Sequence, residues 1–186
     1  MSIIETQTGI KDLIVIKPTV FTDSRGYFFE SYNKQKYLEL GIKADFVQDN
    51  QSYSKYGSIR GLHFQKGEYA QAKLVRVVQG SVLDVAIDLR VDSETFGKSF
   101  SIKLSGENKL QVFIPKGFAH GFSVLSKNAI FEYKCDNFYN KNSESGILFN
   151  DLELNIDWQI LLDNQVVSDK DKELPSFNDY RNNPCF

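Results

Sequence analysis

Histidine and cysteine are both scarce, with two of each in 186 residues. Cys135 and Cys185 are too few for a disulfide framework, and a chain that does without one suits a reducing cytoplasm. An excess of one charge sign is also missing. Lysine and arginine number 22 against 24 acidic residues, and a net charge of -2 gives no footprint for nucleic acid or a membrane surface. No apolar run approaches the roughly 20 residues of a membrane-spanning helix. Residues 1–11 lack the basic start and apolar core of a secretion leader. Internal repeats, low-complexity segments and linkers are absent too, so residues 1–186 are expected to form one domain, long enough to bury a core without staples.

What the chain does have is aromatic residues and short apolar runs. Fifteen Phe and nine Tyr lean toward β structure. Leu13 to Lys17, ended by Pro18, reads as a strand, and Asp23 to Gly26 as a turn before a strand through Tyr27 to Ser31. Asn33 to Leu40, closed by Gly41, is the one good short-helix candidate. From Asp45 onward, runs of five to nine residues are broken by glycine or polar turns. Val82 to Leu89 alternates Leu83, Val85, Ile87 and Leu89 against Asp84, Ala86 and Asp88. Many short strands without a βαβ rhythm predict an all-β sandwich or barrel, with helical turns expected in the tail beyond Asp157.

Chemistry concentrates between Ser58 and Val78. Alternation sets Lys73 on one strand face with Val75 and Val77, and an inward lysine is costly unless something anionic meets it. His63 stands one strand earlier. A metal-binding barrel would carry a second histidine two residues after the first, where this chain has Gln65. With only His120 left in P-K-G-F-A-H-G-F, no metal site is expected. Taken singly, His63, Lys73, Arg60 and Arg25 read as ordinary structural or surface residues, Tyr133 as core and Asp171 as a helix cap. Together they suit proton transfer at carbon. An imidazole can remove a proton acidified by a neighbouring carbonyl, and a lysine can stabilise the enolate. A buried carboxylate can orient the imidazole, and a phenol on the opposite side can return the proton. Removal on one face and return on the other inverts a stereocentre, with no cofactor.

Seven blocks in order carry a resemblance: D-S-R-G-Y-F-F-E, V-Q-D-N-Q-S, I-R-G-L-H-F-Q, Q-A-K-L-V-R-V-V-Q-G, P-K-G-F-A-H-G-F, E-Y-K-C-D-N-F-Y and S-D-K-D-K-E-L-P. From about Gly9 to Tyr180 the chain resembles the nucleotide-sugar 3,5-epimerase family. The resemblance implies a cupin-type jelly-roll barrel and a homodimer in which an N-terminal strand crosses to the partner. It implies a dTDP-linked 4-dehydro-6-deoxy-D-glucose as substrate and dTDP-4-dehydro-L-rhamnose as product, on the route to dTDP-L-rhamnose for cell-surface polysaccharide. By the same resemblance His63 is the base, Asp171 its carboxylate partner and Tyr133 the proton donor. Lys73 lies beside the keto oxygen and His120 is the second pocket histidine. Arg25, Glu30, Gln48, Asp49 and Asn50 match nucleotide-binding residues, Arg60 a diphosphate contact and Tyr139 the aromatic that stacks on thymine. Glu144 and Lys170 match further pocket residues. Strict alternation would put Arg60 and His63 on opposite strand faces, so either Arg60 precedes the regular strand or Gly61 permits a bulge. The alternatives are an epimerase acting at carbon 3 only or on another nucleotide, a metal-dependent cupin enzyme, and a non-catalytic nucleotide-sugar-binding barrel.

Overall fold

The computed structural model describes residues 4–186; the leader-free start read over residues 1–11 falls partly outside them. The chain runs β1 (Ile4–Gln7), β2 (Ile14–Lys17), β3 (Phe21–Asp23), β4 (Gly26–Phe28), α1 (Lys34–Glu39), β5 (Gln48–Lys55), β6 (Ser58–Gln65), β7 (Lys73–Gln79) and β8 (Ser81–Asp88). It continues through β9 (Ser99–Ser105), β10 (Gln111–Ile114), β11 (Phe118–Val124), β12 (Asn128–Cys135), β13 (Glu144–Gly146), β14 (Val166–Val167), α2 (Asp169–Lys172) and α3 (Phe177–Asn182). Two sheets carry the fold. One has the order β1-β2-β10-β7-β12-β5; the other has β13-β6-β11-β8-β9, with β14 added in parallel to β6. The remaining pairings are antiparallel. This is the all-β architecture that the strand spacing suggested, in the jelly-roll form that the resemblance implied.

Burial explains why these sequences fold this way. Val15, Val75, Val77, Val112 and Phe131 of the first sheet pack against Val82, Ala86, Leu104, Phe118 and Phe122 of the second, filling the barrel. The outer face of the second sheet, with Leu62, Phe64, Leu83, Val85 and Ile87, is covered by Phe149, Trp158, Phe177 and Tyr180 of the C-terminal segment. The outer face of the first, with Ile16, Leu74 and Phe113, is covered by Tyr37 of α1 and by Ile42. Strand β8 is therefore buried on both faces. Its regular alternation does not separate core from solvent; it separates the C-terminal layer from the barrel interior. Truncating Phe131, 1% exposed in the middle of the barrel, to alanine is expected to cost about 3–5 kcal/mol.

Local chemistry sets the element ends. Asn33 caps α1 by accepting the Lys36 N–H, and Gly41 leaves it at φ +84°, a conformation that favours glycine. The strand expected through Ser31 stops at Phe28. Glu30 is drawn to Asn33 and Lys36, while the Ser31 carbonyl accepts from Tyr37 and Gln111, so this segment serves α1 instead of the ladder.

Candidate active site

Gly61 organises the site. Ile59, Leu62 and Phe64 all face the C-terminal layer, so the inside–outside alternation of β6 slips by one residue at Gly61. Pairing with β11 slips at the same place, with His120 opposite His63 but Phe122 opposite Arg60. Gly61 sits at φ +129°, and a Cβ there would lie 2.6 Å from the Gly121 Cα, so the irregularity needs glycine. Arg60 and His63 consequently line one cleft of about 460 Å3. Arg60 lies within the strand, and the slip at Gly61 is what turns both residues inward.

The same slip frees the Gly61 N–H, which donates to Asp171 Oδ2 at 3.3 Å. Asp171 is brought there by α2, where the Ser168 hydroxyl accepts its N–H at the helix start. Its other oxygen lies 2.8 Å from His63 Nε2. Burial pushes the Asp171 carboxyl upward, but His63, Gly61 and Ser168 together outweigh it and hold the carboxyl below its ordinary range. Asp171 thus meets the imidazole, and the capping is done by Ser168.

A second pair stands beside the first. His120, directly opposite His63, meets Asp84 Oδ2 of β8 at 2.8 Å. Both side chains are almost fully buried, and burial lowers the His120 pKa despite the carboxylate. Asp84 was not among the residues singled out from sequence. Its signal was present: an aspartate on the same alternation set as Val82 and Ala86, which fill the barrel.

The opposite sheet supplies Tyr133 and Lys73. Tyr133 pairs with Val75 and Cys135 with Lys73 across β12 and β7. The Lys73 ammonium lies 5.9 Å from the centre of the Tyr133 ring. Burial lowers the Lys73 pKa, offset in part by Cys135, Asp84 and Glu144, and burial raises that of Tyr133, which keeps its phenol protonated. Arg60, His63, Lys73, His120, Tyr133, Lys170 and Asp171 all line the cleft. Ser52 joins them, and the buried Ser54 accepts from Arg60 Nε at 3.0 Å, leaving the guanidinium's outer amines unclaimed by that bond. Neither serine was marked in the sequence, because a serine in a strand carries no signal until its neighbours are known.

The remaining candidates lie outside this lining. Glu144 Oε2 accepts from Lys170 at 2.6 Å and from the Tyr139 hydroxyl at 2.8 Å, tying a rim group to the cleft wall. Burial pushes Glu144 upward, but these two donors outweigh it and lower its pKa, while Glu144 raises that of Tyr139. Gln48 and Asn50 bond to each other, and Asn50 approaches the Cys135 thiol. Asp49 alternates to the other side of β5 and pairs with Lys134. Arg25 and Glu30 are not brought to the cleft within one chain: Arg25 is 88% exposed beside Asp23, and Glu30 pairs with Lys36. Among the described residues, no group of three or more His, Cys, Asp and Glu side chains is arranged to hold a metal ion.

The arrangement can take a proton at one side of a cleft and offer one from the opposite sheet. Known proteins share this sequence and architecture. A family model described as dTDP-4-dehydrorhamnose 3,5-epimerase matches residues 7–179. A dTDP-4-dehydrorhamnose 3,5-epimerase of Shigella flexneri is 52% identical over 92% of this chain and 93% of its own length. A crystal structure of dTDP-4-dehydrorhamnose 3,5-epimerase from Elizabethkingia anophelis NUHP1 superposes with a TM-score of 0.92 at 56% identity, covering 95% of this chain and 97% of the other. A dTDP-6-deoxy-D-glucose-3,5-epimerase from Legionella pneumophila Philadelphia 1, solved with dTDP-4-keto-L-rhamnose, gives a TM-score of 0.88 at 49% identity over 95% and 93% of the two chains. Sequence, fold and cleft converge, and this chain belongs to the dTDP-4-dehydrorhamnose 3,5-epimerase family.

Proposed function

We propose that the protein is an isomerase that inverts carbons 3 and 5 of dTDP-4-dehydro-6-deoxy-D-glucose, giving dTDP-4-dehydro-L-rhamnose. The observation that carries the reading is that His63 and Tyr133 line one cleft from opposite sheets, with Lys73 on the strand beside Tyr133. The 4-ketone acidifies the hydrogens on both neighbouring carbons. With Nε2 engaged by Asp171, Nδ1 of His63 is the nitrogen left to take such a proton. The electron pair moves onto the keto oxygen, where the Lys73 ammonium stabilises the enolate inside a low-dielectric cleft. Tyr133 then gives its proton to the other face of the carbon. Each inversion leaves His63 protonated and Tyr133 as a phenolate, and exchange with water resets both. Burial favours the neutral phenol, so the equilibrium drives that phenolate to recover its proton.

Arg60 is assigned to the diphosphate, Tyr139 to the thymine, and Gln48, Asn50, Glu144 and Lys170 to the sugar-nucleotide around them. We assign Arg25 and Glu30 to the cleft of a second subunit in a homodimer. The exposed Phe21, Tyr27 and Phe28 of the β3–β4 hairpin support an arm that packs on a partner. The whole chain, 1–186, acts in this reading as one jelly-roll domain. A cytoplasmic location is supported by the two free thiols, and no helix among the described residues is long and apolar enough to cross a membrane.

The test is turnover of that substrate in deuterated water, followed by NMR. Deuterium is expected at both carbons. Label at carbon 3 alone would reduce the activity to a single inversion, and no label with intact dTDP binding would leave only a binding barrel.

A further inference from the structure

Tyr139 is 52% exposed, yet it and the residue after it are fastened at three points. Its own N–H donates to Gln48 Oε1 at 3.1 Å, and its hydroxyl to Glu144 Oε2 at 2.8 Å. The next N–H along the chain, that of Asn140, donates to Gln65 Oε1 at 3.0 Å. Two glutamines on neighbouring stretches of sequence, at the end of β6 and the start of β5, thus hold consecutive amide groups of one surface loop. Exposed aromatic residues on loops are ordinarily free to move, and a ring fixed before its ligand arrives avoids the cost of ordering it on binding. Gln65 is itself only 5% exposed, so its oxygen is a buried acceptor committed to the loop. It is also the residue at which this barrel departs from a metal-binding histidine pair, and no step of the proton transfer uses it.

The geometry points to Gln65 as a positioning residue for nucleotide binding: its amide oxygen, through the Asn140 N–H, presets the Tyr139 ring as a stacking surface for a planar base. This rests on the nucleotide-sugar reading above. It separates two parts of the ligand, because the ring serves the base and not the diphosphate.

Calorimetric titration of the full chain with dTDP and, separately, with inorganic pyrophosphate reads that separation. Gln65→Leu is expected to weaken dTDP binding about tenfold while pyrophosphate binding stays within about twofold. In turnover, KM rises and kcat holds. Gln65→Glu, which keeps an oxygen acceptor, recovers most of the loss. Adding Tyr139→Ala to Gln65→Leu weakens dTDP no further than Tyr139→Ala alone, since both remove the same surface. Equal weakening of both ligands, a fall in kcat at constant KM, or fully additive losses would each overturn the assignment. Should Gln65→Leu fail to fold, Gln65→Asn, one methylene too short to reach the loop, takes its place with the same expected split. Wild-type protein that bound no dTDP would sink the nucleotide reading itself. Wild-type binding left unchanged in the Gln65 variants would sink only the role given to Gln65.

Discussion

Two histidine–aspartate pairs sit side by side in this barrel, with the same 2.8 Å contact and opposite surroundings. His63 keeps 30% of its side chain exposed to the cleft, with Asp171 behind it at 6%. His120 and Asp84 are exposed by only 7% and 2%. Distance therefore does not distinguish them, but exposure does: both imidazoles line the cleft, and His63 presents far more of itself to it. A base must gain and lose a proton each turnover, which an imidazole open to the cleft can do. An imidazole sealed beside the Lys73 ammonium is held neutral by burial, and suits donating a hydrogen bond without titrating.

The largest effect expected from this contrast is at the open pair. His63→Ala should cut deuterium exchange at carbons 3 and 5 by about a thousandfold or more, with dTDP affinity nearly unchanged in a parallel titration. Exchange at the wild-type rate would hand the base role to another group. Next in size is the opposite side of the cleft, where Tyr133→Phe should slow product formation about a hundredfold. Washout of substrate hydrogen into solvent should survive in that variant better than inversion does. A variant that inverts like wild type would make Tyr133 a core residue and nothing more.

The aspartates should divide in kind as well as size. Asp171→Asn is expected to lower kcat about a hundredfold, because the imidazole loses its orienting carboxylate. Asp84→Asn instead should cost about 2 kcal/mol of folding stability in denaturant titration, as a buried hydrogen bond is weakened. If the two variants behaved alike, the contrast between open and sealed pairs would be empty.

The smallest effect is in pH. Burial lowers the His120 pKa below its unfolded value, so the unfolded chain binds a proton the folded chain refuses. That stability is fully present above about pH 6.5 and is lost as pH falls from there toward the lowered value. Asp171, also lowered, contributes stability present above about pH 3.9 and lost as pH falls through its folded pKa. Urea unfolding across this range should show a decline beginning near pH 6.5 that His120→Gln flattens. A wild-type curve level down to pH 5 would remove the sealed histidine from the account.

Much of the barrel was legible in the sequence, because period-two alternation reports which side chains share a face. Lys73 with Val75 and Val77, and Tyr133 with Phe131 and Cys135, fall on one face by that rule alone. The helix closed by Gly41 was legible from its terminating residue. The slip at Gly61 was harder: alternation exposed a conflict between Arg60 and His63, but not which remedy held. Asp84 was visible only as the polar half of an alternating strand, since one-dimensional spacing does not say that both faces of β8 are covered. Ser54 left no mark and Gln65 was read only as a missing metal ligand, since an amide or hydroxyl gains meaning only from the donor it meets.

The sequence by itself determined the strand rhythm, the inward lysine and tyrosine, and the seven blocks that carry family membership, because these are properties of neighbours along the chain. Only the tertiary structure decided that His63 and Tyr133 share a cleft, that Asp171 reaches back across 108 positions to the imidazole, and that one histidine is open while the other is sealed. Burial and cross-sheet contact depend on which surfaces meet, and those surfaces come from parts of the chain too far apart for any local pattern to join.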